Sequence, residues 1–139
     1  MQGKSVVLQL SNEISINESN YAKVAERIIK VLKDRGKSPF NGLSTTKLRS
    51  IYGLITNIYT RINTPEDFNE NISDLQYIKV KLAYEWGRDK ESGEPIKNFI
   101  KGSFLMSAID NIETYDQFIL YCRYAESLVA YFKFYGGKE

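Results

Sequence analysis

Histidine is absent from this 139-residue chain, and Cys122 is its single cysteine. No Ser–His or Cys–His nucleophilic pair can form, and the commonest metal ligand is missing. Cys122 has no partner for an internal disulfide or a thiolate metal site. No apolar run reaches the roughly 18 residues needed to cross a bilayer. The N-terminus MQGKSVVLQLSNEIS is too polar, and its apolar piece too short, for a secretory signal. Glycine-rich phosphate loops and metal-ligand spacings are missing too. These absences point to a cytoplasmic protein without cofactor or metal and without catalysis. Carboxylate-only hydrolysis stays open in principle, but the acids fall mostly in turns and on helix flanks, among them Glu66, Asp67, Asp89 and Glu94.

With 42% hydrophobic and 26% charged residues, the chain can bury a core of its own. Its net charge of +2 hides a gradient: residues 1–43 hold seven cations and four acids, residues 89–139 six and eight. Between Asp34 and Glu66 lie Arg35, Lys37, Lys47, Arg49 and Arg61, with no acid. Such a stretch either faces a polyanion or is a solvated surface paired from elsewhere in the fold.

Apolar periodicity predicts an all-α protein, a compact bundle of about five helices with an N-terminal extended arm. Residues 1–19 alternate weakly through Val6, Leu8 and Leu10, then Ile14 and Ile16, and form the arm. Residues 20–139 form a single helical-bundle domain. The first helix starts at Asn20 as N-cap, follows Tyr21, Val24, Ile28, Val31 and Leu32, and stops at Gly36. The second is capped by Ser44 or Thr45 and buries Leu48, Ile51, Ile55, Ile58 and Ile62; NTPEDFNEN ends it. The third, about 71–88, has Ile72, Leu75, Ile78, Leu82 and Trp86 as its core stripe. The fourth begins at Pro95 and changes face near Gly102, as a kinked helix or two short ones. The fifth, about 114–135, buries Phe118, Cys122, Ala125, Val129 and Phe132.

Some surface residues exceed what folding requires. Tyr77, Lys81, Tyr84 and Arg88 recur at helical spacing on a face opposite the Leu75/Leu82 stripe. Rings alternating with cations suit a nucleic-acid backbone, or else the rings cover neighbouring helices. Lys79 falls on the core side of the same helix, where it must pair or extend its stem to water. On the fifth helix Ile119, Tyr131 and Phe134 lie off the core stripe, which indicates a partner surface or burial on several sides. Phe132 and Tyr135 close the core, and Gly136 with Gly137 stop the helix.

Three blocks carry a resemblance: LSTTKLRSIYGLITNIY (43–59), YIKVKLAYEWGR (77–88) and FILYCRYAESLVAYFKFYGGKE (118–139). Together they resemble the small subunit of the type III-A CRISPR–Cas effector, the Csm complex. The last block, with Tyr-x-Glu-x-Leu-Val-Ala-Tyr running into Lys-x-Tyr-Gly-Gly, is the most specific. The resemblance implies a non-catalytic, RNA-binding helical subunit for antiviral defence. Several copies would self-associate as a filament beside the backbone subunit, with the large polymerase-like subunit as a further partner. They would lie along guide RNA and target RNA, away from any membrane. By position it implies Lys47, Arg49, Lys79 and Arg88 as RNA-binding residues, and the ring–cation stripe adds Lys81. Tyr131 and Phe134 are left as subunit-contact candidates. Residues 1–19 have no counterpart in the resemblance, DKESGEP is longer than the family's turn, and Trp86 stands where a small residue is expected. The competing reading is a generic helical protein–protein adaptor with no nucleic-acid role.

Overall fold

The N-terminal segment is extended and closes on itself as a hairpin. In the computed structural model, which describes residues 5–36 and 38–137, β1 (Val7–Gln9) pairs antiparallel with β2 (Ser15–Asn17), Leu8 opposite Ile16. The period-two alternation turns Leu8, Leu10 and Ile16 inward, where all three are fully buried. The outer edge of β1 is not left bare. Gln117 Nε2 donates to the Val7 carbonyl, Asn111 Nδ2 to Gln9 and Ser107 Oγ to Leu10. Side chains from the C-terminal half thus replace a missing strand.

Six α-helices follow among the described residues: α1 (Tyr21–Lys33), α2 (Thr45–Tyr59), α3 (Pro65–Glu70), α4 (Ile72–Gly87), α5 (Pro95–Ser103) and α6 (Tyr115–Phe134). Short 3-10 turns at Pro39–Gly42 and Ser107–Asn111 complete the set. The mostly helical fold agrees with the period of the sequence. The predicted second, third, fourth and fifth helices are α2, α4, α5 and α6. The break expected near Gly102 comes at Phe104, which takes φ 63° and ends α5. Ser44, Thr64 and Thr114 each cap a helix by accepting an N–H bond, and Thr114 with Gln117 forms a reciprocal capping box. Asn20 instead turns its side chain back to accept from Asn17 N, so it caps no helix amide.

Four expectations about the core are corrected. NTPEDFNEN is not only a terminator: Thr64 and Pro65 start α3, which inserts Phe68 into the core. Ile72, assigned to the third helix's core stripe, is 48% exposed, because it lies roughly 60–120° around the helix from Leu75, Leu82 and Ile78, at the margin of the buried face. Val31 is 47% exposed, at the outer margin of α1, and Trp86 is only half-buried at the edge of a groove.

The longest helix, α6, is the spine. α1 and α2 both pack along it, and its Phe118, Tyr121, Tyr124, Leu128 and Phe132 are fully enclosed. Two tyrosines tie it to the α5 turn: Tyr121 Oη donates to the Leu105 carbonyl at 2.6 Å and Tyr124 Oη to Ser103 at 2.8 Å. Burial pushes both phenols, and the Cys122 thiol between them in sequence, well above their ordinary pKa values. At the C-terminal end Phe132 packs against Phe40, ring centres 4.6 Å apart and planes tilted at 53°. Gly136 takes φ 89° to end the helix, and a Cβ on Gly137 would lie 2.1 Å from the Phe132 ring. Ile119 is half covered beside Val6 of the hairpin segment, so part of the apolar surplus of α6 is used within the fold.

Candidate nucleic-acid interface

α2 and α4 run antiparallel. Ion pairs mark both ends of the pair: Lys47 with Glu91 at one end, and Arg61 with Asp74 (3.6 Å) at the other. The start of α2 therefore lies beside the end of α4. The acid-free stretch is thus paired from elsewhere at Lys47 and Arg61. Lys37, another of its cations, lies outside the described residues.

On α4, Leu75, Ile78 and Leu82 face inward. The opposite face is open and carries Tyr77 (55% exposed), Val80 (61%) and Tyr84 (62%). Lys81 Nζ stands 5.1 Å from the centre of the Tyr77 ring, and the Arg88 guanidinium 5.6 Å from that of Tyr84. Each cation so placed is attracted to the ring quadrupole, giving two ring–cation pairs along one row. Val80 was not singled out from the sequence. Its signal is in the spacing, since at 100° per residue it falls about 60° from Tyr77 and about 40° from Tyr84, on the same open side.

The predicted cations do not form one cluster. Lys81 and Arg88 flank the ring face of α4 on its α2 side. Lys79 lies two residues from Lys81 and so roughly 160° away around the helix. It points to the other flank, where its ammonium bridges both Asp110 oxygens at 2.7 and 2.8 Å. This is how a lysine on the core side is satisfied: it pairs with an acid from the turn after α5. Lys47 and Arg49 are likewise separated by roughly 160° on α2. Lys47 faces α4 and Glu91, and Arg49 is exposed and makes no ion pair among the described residues. Arg88 Nε lies 3.1 Å from Glu85. Of the five predicted RNA-binding residues, Lys47, Lys79 and Arg88 are paired with carboxylates, and Lys81 and Arg49 make no ion pair among the described residues.

The turn between α4 and α5 is ordered by one buried acid. Asp89 accepts from the backbone N–H groups of Glu91, Ile96 and Lys97, satisfying amides at the start of α5. That fold of DKESGEP places Glu91 against Lys47. The sequence alone had no means of pairing the two.

Of the subunit-contact candidates, Phe134 is 74% exposed and Tyr131 half-buried. They meet edge-to-face at 6.3 Å, and Phe134 meets Tyr135 at 5.0 Å. Tyr135 Oη donates to Glu26 at 2.5 Å, a bond that raises its pKa, and Lys30 and Lys33 lie over its ring.

Comparison with known proteins agrees with this architecture. A family model described as Csm2 Type III-A matches residues 15–138. "CRISPR system Cms protein Csm2" of Streptococcus thermophilus is 34% identical over 124 residues, covering 89% of this chain and 98% of that protein. The protein of the same name from Enterococcus italicus is 39% identical over 126 residues (84% and 87%). The one from Mycobacterium tuberculosis is 29% identical over 133 residues (91% and 99%). The match begins inside the hairpin, includes every helix, and spans nearly the whole of these relatives. The chain belongs to the Csm2 family of type III-A CRISPR effector subunits.

Proposed function

We propose that this chain is a non-catalytic, RNA-contacting subunit that lies in several copies beside guide RNA and its paired target RNA in the cytoplasm. Family membership supplies the setting. The observation that carries the RNA contact is the open face of α4, where Tyr77, Lys81, Tyr84 and Arg88 form an exposed ring–cation row. The cations meet phosphates and the rings stack on sugars or bases, without reading sequence. Guide pairing reads the sequence. Lys47, near the first turn of α2, extends the same contact from beside α4, and Arg49 offers a cation, unpaired among the described residues, on the other side of α2. Lys79, held by Asp110 on the opposite flank, is the weakest member of the set. Tyr131 and Phe134 meet the neighbouring copy, the backbone subunit or the large subunit.

Effector complexes assembled with Lys81→Ala and Arg88→Ala together, or with Tyr131→Ala and Phe134→Ala together, test this reading. Subunit stoichiometry and target-RNA affinity are measured on each. The first pair enters the complex at normal stoichiometry and binds target a few-fold to tens-fold more weakly, with a shallower salt slope. The second loses copies of this subunit first. Unchanged target affinity in the first pair would favour the adaptor reading, in which the basic face is only solvated.

A further inference from the structure

A second basic surface lies away from the ring–cation row, on α1. Lys23, Arg27 and Lys30 follow one another at four- and three-residue spacing along its outer face, and Arg35 stands just past its end. Unlike Lys47, Lys79 and Arg88, Arg27 and Arg35 make no ion pair among the described residues, nor does Lys101 of α5. These three cations rim one open groove between α1 and α5, about 390 Å³ in volume, and no acid lines it. Its floor is aliphatic, built from Ile28, Val31 and their neighbours, with Phe104 at the end. The groove needs the close approach of α1 to α5. A Cβ on Gly102 would lie 2.5 Å from the Leu32 side chain and 3.5 Å from the Arg35 guanidinium, so glycine there brings Arg35 over the α5 backbone.

A second hollow adjoins the groove. Lys101 and Phe104 also line this hollow, of about 480 Å³, floored by Trp86, Ile100 and Met106. The only acid there is Asp110, already bridged to Lys79. Phe104, in its left-handed conformation, stands where the two hollows meet. The α1–α5 groove is thus an apolar channel with an uncompensated positive rim, and the second hollow lies beside it across Lys101 and Phe104.

We propose that this channel binds an acidic, apolar-anchored polypeptide segment of another protein subunit. Charge complementarity selects the sign: unpaired Arg27, Arg35 and Lys101 call for carboxylates on the partner. The floor selects the class. A single-stranded nucleic acid would need successive ring platforms and a polar wall, whereas the channel offers aliphatic side chains and one ring. Apolar side chains alternating with Glu or Asp would fill the floor and meet the rim together. The assignment stands independently of RNA contact by α4.

The test uses the full chain and a fluorescent synthetic peptide of about 12 residues that interleaves Glu with Leu and Phe. Polyglutamate of equal charge and polyuridine RNA serve as parallel probes. The amphipathic peptide is expected to bind saturably, at least about ten-fold more tightly than polyglutamate. Arg27→Glu with Lys101→Glu, both exposed positions, should weaken it about ten-fold or more with helicity unchanged. Val31→Asn should weaken it without altering charge, while Lys81→Ala should not affect it. The proposal is overturned if the peptide does not bind saturably or binds no better than polyglutamate. It is overturned equally if the charge reversal leaves peptide binding intact, or if polyuridine occupies the groove and is released by that reversal. A concentration-dependent dimer abolished by the same reversal would assign the groove to a second copy instead.

Discussion

Two carboxylates sit on cations of the proposed RNA face, and removing them should tighten RNA binding. Glu91 bridges Lys47, and Glu85 lies 3.1 Å from Arg88 Nε. Pairs this exposed stabilise a fold by about 1 kcal/mol at most, so Glu85→Gln with Glu91→Gln should leave the chain folded. Their effect on RNA is larger. A cation already held by a carboxylate contributes little when a phosphate arrives, because the carboxylate must first be displaced or remains as a repelling charge. Once released, each cation adds one phosphate contact, which steepens the dependence of log affinity on log salt by roughly 0.7 for a single strand. At about 0.1 M salt that amounts to roughly five-fold per cation, or about 25-fold for both. By about 0.4 M it shrinks to roughly two-fold each. Fluorescence anisotropy with labelled polyuridine across a salt series reads both the affinity and the slope. Glu13→Gln with Glu18→Gln changes net charge by the same amount on the N-terminal segment and serves as the control. The reasoning fails if the Glu85/Glu91 variant binds like the parent at low salt, or if the control tightens binding as much.

Two further outcomes concern the core. Tyr124→Phe removes the 2.8 Å bond to the fully buried Ser103 and should cost about 1–3 kcal/mol in urea unfolding, whereas Tyr84→Phe on the open face should cost under about 0.5 kcal/mol. Stability should also fall in alkali. Tyr121, Tyr124 and Cys122 are held protonated in the folded state, while the unfolded chain ionises near the ordinary values of 10.0 and 9.0. Above those values the unfolded state binds fewer protons, so the stabilisation is complete below about pH 9 and declines as pH rises. Equal urea midpoints at about pH 7 and about pH 10.5 would contradict it, as would rapid alkylation of Cys122 in the native protein.

The helices were legible because each long one has a single dominant environment. In α2 the period of Leu48, Ile51, Ile55 and Ile58 follows from burial of one face against one core, and all four are buried, as is Ile62 just past the helix end. The ring–cation spacing of Tyr77, Lys81, Tyr84 and Arg88 was legible for the same reason, since within one helix sequence separation sets angular position. Short elements escaped. The six residues of α3 are too few to show a period, and only the Thr64–Pro65 start signals it. Ile72 was misplaced because apolar character does not reveal how wide a sector of a helix the core covers, and it stands at the margin of that sector. Charge was the least legible property. Whether Lys47, Lys79 or Arg88 is free depends on which acid the fold brings beside it. Asp110 lies 31 residues from Lys79, and Glu91 reaches Lys47 through a turn ordered by buried Asp89. Conversely, Arg27, Arg35 and Lys101 gain meaning only when Gly102 lets two helices close over one channel. Local periodicity is written in the order of residues, because the backbone repeats. Neutralisation and grooves arise between elements distant in the chain, and only tertiary packing decides them.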